Sequence, residues 1–284
     1  MLKRTTYLTH SYEKADGHTL AAYEARAGYR AARKALGMSR DAVVDEVKKA
    51  HIRGRGGAGF DCGTKWTFMP KESQKPCYLI VNADEGEPGT FKDRTIMEKN
   101  PHSVIEGCII GCFAIGAHAC YVYVRDELHL SKARLWSAIK EAKAKGYLGK
   151  KPFGIDYEVE VYVHTGAGAY ICGEETALLN SLEGKRGEPR LKPTFPAQAV
   201  AFGMPSTVNN LETIAIVSTL FTVEGHPKAP YCAGKGGFSR GSPRLPSSEF
   251  RSAVSSPQMY APAPRCSVRS SLKGPAEARK AKLL

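Results

Sequence analysis

The residues best suited to chemistry in this chain are of two kinds: glycines beside cations, and a crowd of acids. Positions 53–60 read Arg-Gly-Arg-Gly-Gly-Ala-Gly-Phe, which places Gly54, Gly56, Gly57 and Gly59 within six residues. Such a backbone turns tightly and lets a ligand approach where no Cβ stands in the way. Its N–H groups suit a phosphate, with Arg53 and Arg55 adding charge and Lys65 close behind. Gly54, Gly56 and Gly59 also satisfy G-x-G-x-x-G. That spacing alone is weak, because the dinucleotide fingerprint requires a strand before it and a helix after it. A plain Gly-rich linker is the bland alternative. The acids are Asp84, Glu85 and Glu87, beside Asn82, and the pair Glu174 and Glu175 after a second Gly-rich loop at 165–172. Carboxylates repel phosphate and accept hydrogen bonds from sugar hydroxyls, a ring N–H or a carboxamide. Crowded acids also raise one another's pKa values, which suits proton-linked chemistry. A solvated acidic loop or a Mg²⁺ site competes for Asp84, Glu85 and Glu87.

The elements that must position these groups alternate. Residues 41–52 carry apolar side chains at helical spacing, with a cap available at Ser39 or Asp41. The first glycine loop therefore follows a helix, which rules out an ordinary Rossmann turn. Residues 77–81 form a short apolar run, a buried strand by length and type, with the acidic loop at its carboxyl end. A helix is expected over 101–116, a strand over 119–125 and a helix over 131–145. An alternating strand with a solvated or edge face is expected over 157–164. Residues 173–182 read as a helix, residues 207–210 as the opening of a last helix to about 221, and residues 20–36 as an Ala-rich helix. The fold class is α/β: a Rossmann-like sandwich with a non-standard Gly-rich loop and ligands at the carboxyl ends of its strands. Residues 1–38 read as an N-terminal extension, 39–225 as the ligand-binding domain and 226–284 as a basic Ser/Pro-rich tail expected to be disordered.

Composition excludes several classes. With 284 residues, 42% of them hydrophobic, the chain can bury a sizeable core. Its net charge of +13 gathers at the end: residues 226–284 hold 11 Lys or Arg against 2 Asp or Glu, while the first 225 hold 30 against 26. A basic tail attracts polyanions non-specifically, so no specific nucleic-acid recognition is expected. Residues 104–124 are long enough to span a bilayer. They contain Glu106, His118 and three glycines and end in β-branched and aromatic residues, so a buried helix and strand fit better. No apolar leader segment is evident, and the 8 cysteines lack any CxxC pair, so a reducing cytoplasmic setting is the expectation.

Several stretches then resemble, in order, the flavin-bearing, NADH-oxidising subunit of bacterial respiratory complex I. They are 53–60, Asn82-Ala-Asp-Glu-Gly-Glu-Pro-Gly-Thr90, Lys92-Asp-Arg94, Gly166-Ala-Gly-Ala-Tyr-Ile-Cys-Gly-Glu-Glu-Thr-Ala-Leu178, Pro189-Arg-Leu-Lys-Pro193 and Thr207-Val-Asn-Asn210. Flavin subunits of NAD-linked formate dehydrogenases and hydrogenases share them. The resemblance covers roughly 35–222. It implies a quinone-linked NADH dehydrogenase flavoprotein of the electron transport chain, with FMN and NAD(H) as cofactors and hydride passing from NADH to the flavin. It implies that Gly54, Gly56 and Lys65 serve the flavin phosphate. Asn82, Asp84, Tyr170, Gly173, Glu174, Val208, Asn209 and Asn210 would line the rest of the flavin site. Glu87 and Glu175 would lie near the nicotinamide and its ribose, Phe60, Phe68 and Phe195 around the adenine, and Lys192 on the adenine or its phosphates. Glu85 is the candidate for tuning the flavin and its proton, which makes Glu85 and Glu87 the catalytic candidates. Implied partners are other complex I-type subunits, above all a thioredoxin-like subunit with a [2Fe–2S] cluster. The implied location is peripheral to the inner (plasma) membrane on the cytoplasmic side, with no direct membrane span.

The chain also departs from that family. Members continue into a ubiquitin-like domain and a helical domain with a [4Fe–4S] cluster held by four cysteines. After Cys172 only Cys232 and Cys266 remain, so these cysteines do not support the cluster and no metal is expected. The change of character after about 222 reads as a truncation or a shifted reading frame. A formate dehydrogenase or hydrogenase flavin subunit and an inactive fragment are the alternatives.

Overall fold

Residues 78–83 read Tyr-Leu-Ile-Val-Asn-Ala, and Leu79, Ile80, Val81 and Ala83 are all fully buried. A run buried on both faces belongs at the centre of a parallel sheet. The computed structural model, which describes residues 8–9, 11–191 and 201–221, places it there. Strands β1 (Tyr78–Ala83), β2 (Ala119–Arg125), β3 (Glu160–Gly166) and β4 (Ser206–Asn210) pair in parallel in the order β3-β2-β1-β4. Asn82 lies level with Tyr123 on one neighbour and Asn210 on the other.

Alternation divides the sheet into two faces. Leu79, Val81, Cys120, Val122, Val124 and Val161 enter the larger core. That core is closed by α2 (Arg30–Leu36), α3 (Arg40–Lys49), α6 (Pro101–Ile115), α7 (His129–Ala144) and α9 (Leu211–Leu220). Ile80, Tyr123 and Val208 face the other way, onto Leu178, Leu179 and Leu182 of α8 (Glu175–Leu182). Three short helices complete the set: α1 (Leu20–Glu24), α4 (Cys62–Trp66) and α5 (Lys92–Lys99).

Helix α6 is buried along almost its whole length; Pro101 opens it and Gly116, at φ 72°, ends it. Its Gly107 meets α9 backbone to backbone: a Cβ there would stand 2.1 Å from the Ile214 carbonyl oxygen. Residues 20–36 dock on the same helix. The Tyr23 hydroxyl donates to Glu106 Oε2 at 2.5 Å, Ala32 N donates to Glu106 Oε1 at 2.9 Å, and the Tyr29 hydroxyl meets His102 Nδ1 at 2.8 Å. Burial pushes Glu106 up to about 7 and His102 down to about 4.

Several boundaries differ from the sequence reading. Residues 207–210 are strand rather than helix: the β-branched Thr207 and Val208 pair with Leu79 and Ile80, and Asn210 caps α9 by accepting from Glu212 N. The stretch 20–36 is two helices, broken where Ala27 and Tyr29 take positive φ. Strand β3 begins at Glu160; Tyr157 instead donates its hydroxyl to the Cys112 and Ala117 carbonyls. A 3₁₀ turn, Tyr170–Gly173, precedes α8. Ser39 is the cap of α3, its side chain accepting from Ala42 N. Residues 104–124 form α6, a turn and β2, and among the described residues no helix is long and apolar enough to cross a membrane.

Candidate functional site

From β1 the chain steps outward to β2 and β3, then returns to add β4 on the opposite side of β1. The order in which strands are added therefore reverses between β1 and β4, and in open α/β sheets ligands bind in the crevice beyond the carboxyl ends of the strands at such a switch point. Every described loop that the sequence reading singled out meets there.

The first glycine loop joins α3 to α4, and its stem is closed. Gly54 N donates to the Phe60 carbonyl at 2.8 Å, and Arg53 bridges Asp61. Gly57 and Gly59 take φ of 109° and 66°, conformations that glycine alone adopts without strain. A Cβ on either would touch nothing within 4 Å, so this part of the loop has room around it. The loop is tied to the β4–α9 junction: Arg55 N donates to Thr213 Oγ1 at 2.9 Å, and Gly56 lies against Asn210. Asp61 caps α4, which sends Lys65 back toward the crevice. Lys65 Nζ donates to the Val208 carbonyl and stands 3.6 Å from Glu175.

The acidic loop leaves β1 beside the second glycine loop. Asn82 Nδ2 donates to the Gly173 carbonyl at 2.9 Å, and its Oδ1 accepts from Asp84 N at 3.0 Å. The Asp84 side chain is only 1% exposed, and its nearest cation is Arg125, 3.5 Å away. Its Oδ1 has no hydrogen-bond partner among the described residues. Burial pushes this carboxyl up to about 7, against the pull of Arg125 and with a smaller push from Glu127. Tyr170 donates to Glu87 at 2.6 Å on the exposed rim. Phe60 and Phe68, 49% and 51% exposed, face each other at 6.0 Å between ring centres.

Three of the candidates are engaged in holding the frame. Glu85 accepts from Asp93 N and Arg94 N, both at 2.9 Å, and so caps α5. Glu174 caps α8 through Thr176 N and Ala177 N. Asn209 turns toward α4, accepting from Trp66 Nε1 at 3.2 Å, and so steadies the helix that carries Lys65. Lys192 and Phe195 lie outside the described residues.

The sequence reading missed a polar knot beneath Asn210. Lys92 Nζ contacts Asp93 Oδ1 at 2.8 Å, Asn210 Oδ1 at 3.1 Å and Glu212 Oε2 at 3.2 Å, and Asn210 Nδ2 donates to Asp93 Oδ2 at 2.9 Å. Burial opposes the Lys92 charge, but Asp93 and Glu212 hold its pKa above the usual value; burial raises Glu85 and Glu212. The signal was present in Lys92-Asp-Arg94, a motif whose individual roles spacing alone does not show. The residues present fit a phosphate-bearing, ring-bearing ligand: an open glycine loop, a buried carboxylate oxygen that lacks a hydrogen bond among the described residues, and two half-exposed aromatic rings.

Comparison with known proteins agrees with this geometry. Residues 47–219 match the family described as the Nuo51 FMN-binding domain. The chain is 57% identical over 185 residues to the NADH-quinone oxidoreductase F-subunit of Rickettsia typhi, covering 65% of this chain and 44% of that protein. It is 50% identical over 220 residues to the protein of the same name in Rickettsia massiliae, covering 78% and 52%. To one such protein of Rhizobium meliloti it is 57% identical over 203 residues, covering 71% and 48%. The chain thus spans about half the length of the relatives it matches. Among solved structures, a chain of an NAD⁺-reducing [NiFe]-hydrogenase in the H₂-reduced state aligns with a TM-score of 0.61 at 39% identity, covering 68% of this chain and 32% of that one. The air-oxidised state gives 0.60 at 36% identity, covering 77% and 34%.

Proposed function

The chain belongs to the Nuo51 FMN-binding domain family, and from that premise we propose that it is the FMN-holding, NADH-oxidising part of a complex I-type NADH:quinone oxidoreductase. The observation that carries this reading is the switch point between β1 and β4, where the first glycine loop is tied to the β4–α9 junction and the acidic loop, with Asp84 Oδ1 buried and without a hydrogen bond among the described residues, leaves β1. When bound, FMN would supply a ring that takes two electrons as hydride and releases them one at a time.

The chain's own residues do the holding. The N–H groups of 56–59 and the Lys65 ammonium serve phosphate, those of Gly54 and Arg55 being used on the Phe60 carbonyl and Thr213 Oγ1, and Asn210, fixed by Lys92 and Asp93, braces the loop from below. Asp84 accepts a ring N–H. Phe60 and Phe68 offer stacking area for the adenine of NADH, with Glu87 and Glu175 toward its ribose and nicotinamide. Phe195 and Lys192 complete the adenine and phosphate side in this reading. No side chain acts as a nucleophile. The protein fixes the distance and orientation of two cofactors.

In the assembled enzyme the chain would be a peripheral subunit on the cytoplasmic side of the membrane. It would pass electrons to a thioredoxin-like [2Fe–2S] partner. The solved relatives keep a second assignment in view, since the same half-reaction serves an NAD⁺-reducing hydrogenase. Anaerobic titration of the FMN-supplemented chain with NADH tests the reading. Bleaching of the flavin absorbance by about one equivalent is expected; FMN that is bound but never bleached, or never bound, overturns it.

A further inference from the structure

Arg125, the last residue of β2, was singled out neither by its spacing nor by any motif, yet one guanidinium reaches three elements. Its Nη2 donates to the Gly168 carbonyl at 2.9 Å in the second glycine loop. Its Nε donates to Glu127 Oε1 at 2.5 Å, and its Nη1 stands 3.5 Å from Asp84 Oδ1 in the acidic loop. The side chain is 14% exposed. One glycine makes room for the guanidinium and a second for its partner Glu127. A Cβ on Gly86 would stand 2.4 Å from Arg125 Nη1, and one on Gly168, at φ 80°, would stand 2.8 Å from Glu127 Oε2.

We propose that Arg125 is the positioning residue of the flavin site, its planar fork locking the acidic loop to the second glycine loop and aiming Asp84 at the ligand. A fork suits the task because it offers several donors in one fixed plane, whereas an ammonium offers a single point of charge. Glu127 completes the arrangement by holding the guanidinium from its outer side. The charged and titratable groups around Asp84 are Arg125 at the end of β2, Glu127 just beyond it and Tyr123 within it; the Tyr170 ring lies across Gly86. Among the described residues Arg125 is the one cation in that set, so its loss leaves the acid's charge opposed by burial and by Glu127 with nothing to offset them.

The inference rests on the FMN reading for its ligand, but its first test does not need FMN. Hydrogen exchange of the ligand-free chain is compared for wild type, Arg125→Ala and Arg125→Lys. Backbone exchange in both 84–89 and 166–170 is expected to rise about tenfold or more in both variants. FMN titration follows. Both variants are expected to bind about tenfold or more weakly. The pH midpoint of binding is expected to move up in Arg125→Ala and stay near wild type in Arg125→Lys, which keeps the charge and loses the fork. Unchanged exchange in either loop overturns the proposal, as does an unshifted midpoint in Arg125→Ala. If Arg125→Ala fails to fold, Arg125→Lys decides by exchange and affinity. If neither folds, the arginine serves folding and the proposal is wrong. A wild-type chain that binds no FMN but shows the expected exchange overturns the FMN reading and leaves the loop lock standing.

Discussion

Two buried acids, Glu106 under the N-terminal helices and Asp84 at the crevice, are both pushed up to about 7, and burial is the leading cause in each case. They have opposite surroundings. Glu106 has a protein donor on each oxygen, the Tyr23 hydroxyl and Ala32 N. Asp84 Oδ1 has no hydrogen bond among the described residues, only the Arg125 guanidinium 3.5 Å away, and Gly173 of the loop before α8 lies against its backbone. A shifted pKa therefore does not distinguish a rivet from a binding group. The distinction lies in whether the acceptor is already used. Buried polar groups are nearly always satisfied, so an unsatisfied one points to an absent donor.

The contrast can be broken by substitution. Glu106→Ala strands two buried donors and should cost about 3 kcal/mol in urea unfolding, while the chain that remains folded binds FMN as wild type does. A measurable loss of FMN affinity in folded Glu106→Ala would show the two acids to be coupled rather than separate. The pH dependence of stability sharpens the same point. Glu106 rises from 4.5 to about 7, so between those values the folded chain keeps a proton that the unfolded chain has released. Its contribution is greatest below 4.5 and falls as pH rises to about 7. His102 works the other way, losing stability as pH drops from 6.5 toward about 4. Unfolding of wild type minus Glu106→Gln cancels the histidine, and that difference should decline across the Glu106 window; a flat difference counts against a protonated Glu106.

At the other acid the balance reverses. Asp84→Asn should change stability by no more than about 1 kcal/mol, since it loses a long ion pair with Arg125 together with a desolvation cost. It should weaken FMN about tenfold and remove the pH dependence of binding near 7. In wild type, binding should tighten as pH rises through that value, because the ionised carboxylate is the stronger acceptor for a ring N–H. The smallest effect on stability belongs to Phe68→Ala, within about 0.5 kcal/mol because the ring is half exposed, with KM for NADH raised and kcat spared. An unchanged KM would remove the adenine role from this ring.

Much of this was legible in the sequence. Ser39 or Asp41 marked a helix start, and Ser39 is the cap; the run at 77–81 marked a buried strand, and the glycines with the nearby acids marked the loops that meet. What escaped has physical causes. Thr207-Val-Asn-Asn210 mixes β-branched residues with two asparagines, so it serves equally as a strand end and a helix cap, and here it is both. Ala27 and Tyr29 adopt positive φ against their preference, which no Ala-rich pattern announces. That Glu85 and Glu174 also accept the backbone N–H groups that open α5 and α8 was not visible, because a carboxylate preceding a helix has the same sequence appearance with or without that bond. Arg125 stayed hidden because its three contacts are distant in sequence or unmarked by spacing.

Gly107 carries a consequence for anyone who would redesign the crevice. Where α6 crosses α9, its missing side chain lets Ile214 come within backbone reach. The next residue back, Thr213, holds Arg55 N, and Asn210 begins the same helix. One methyl group on α6 would thus displace the glycine loop through α9 without altering any residue that touches a cofactor. A mutant library drawn only from the crevice lining would omit the position that sets its spacing.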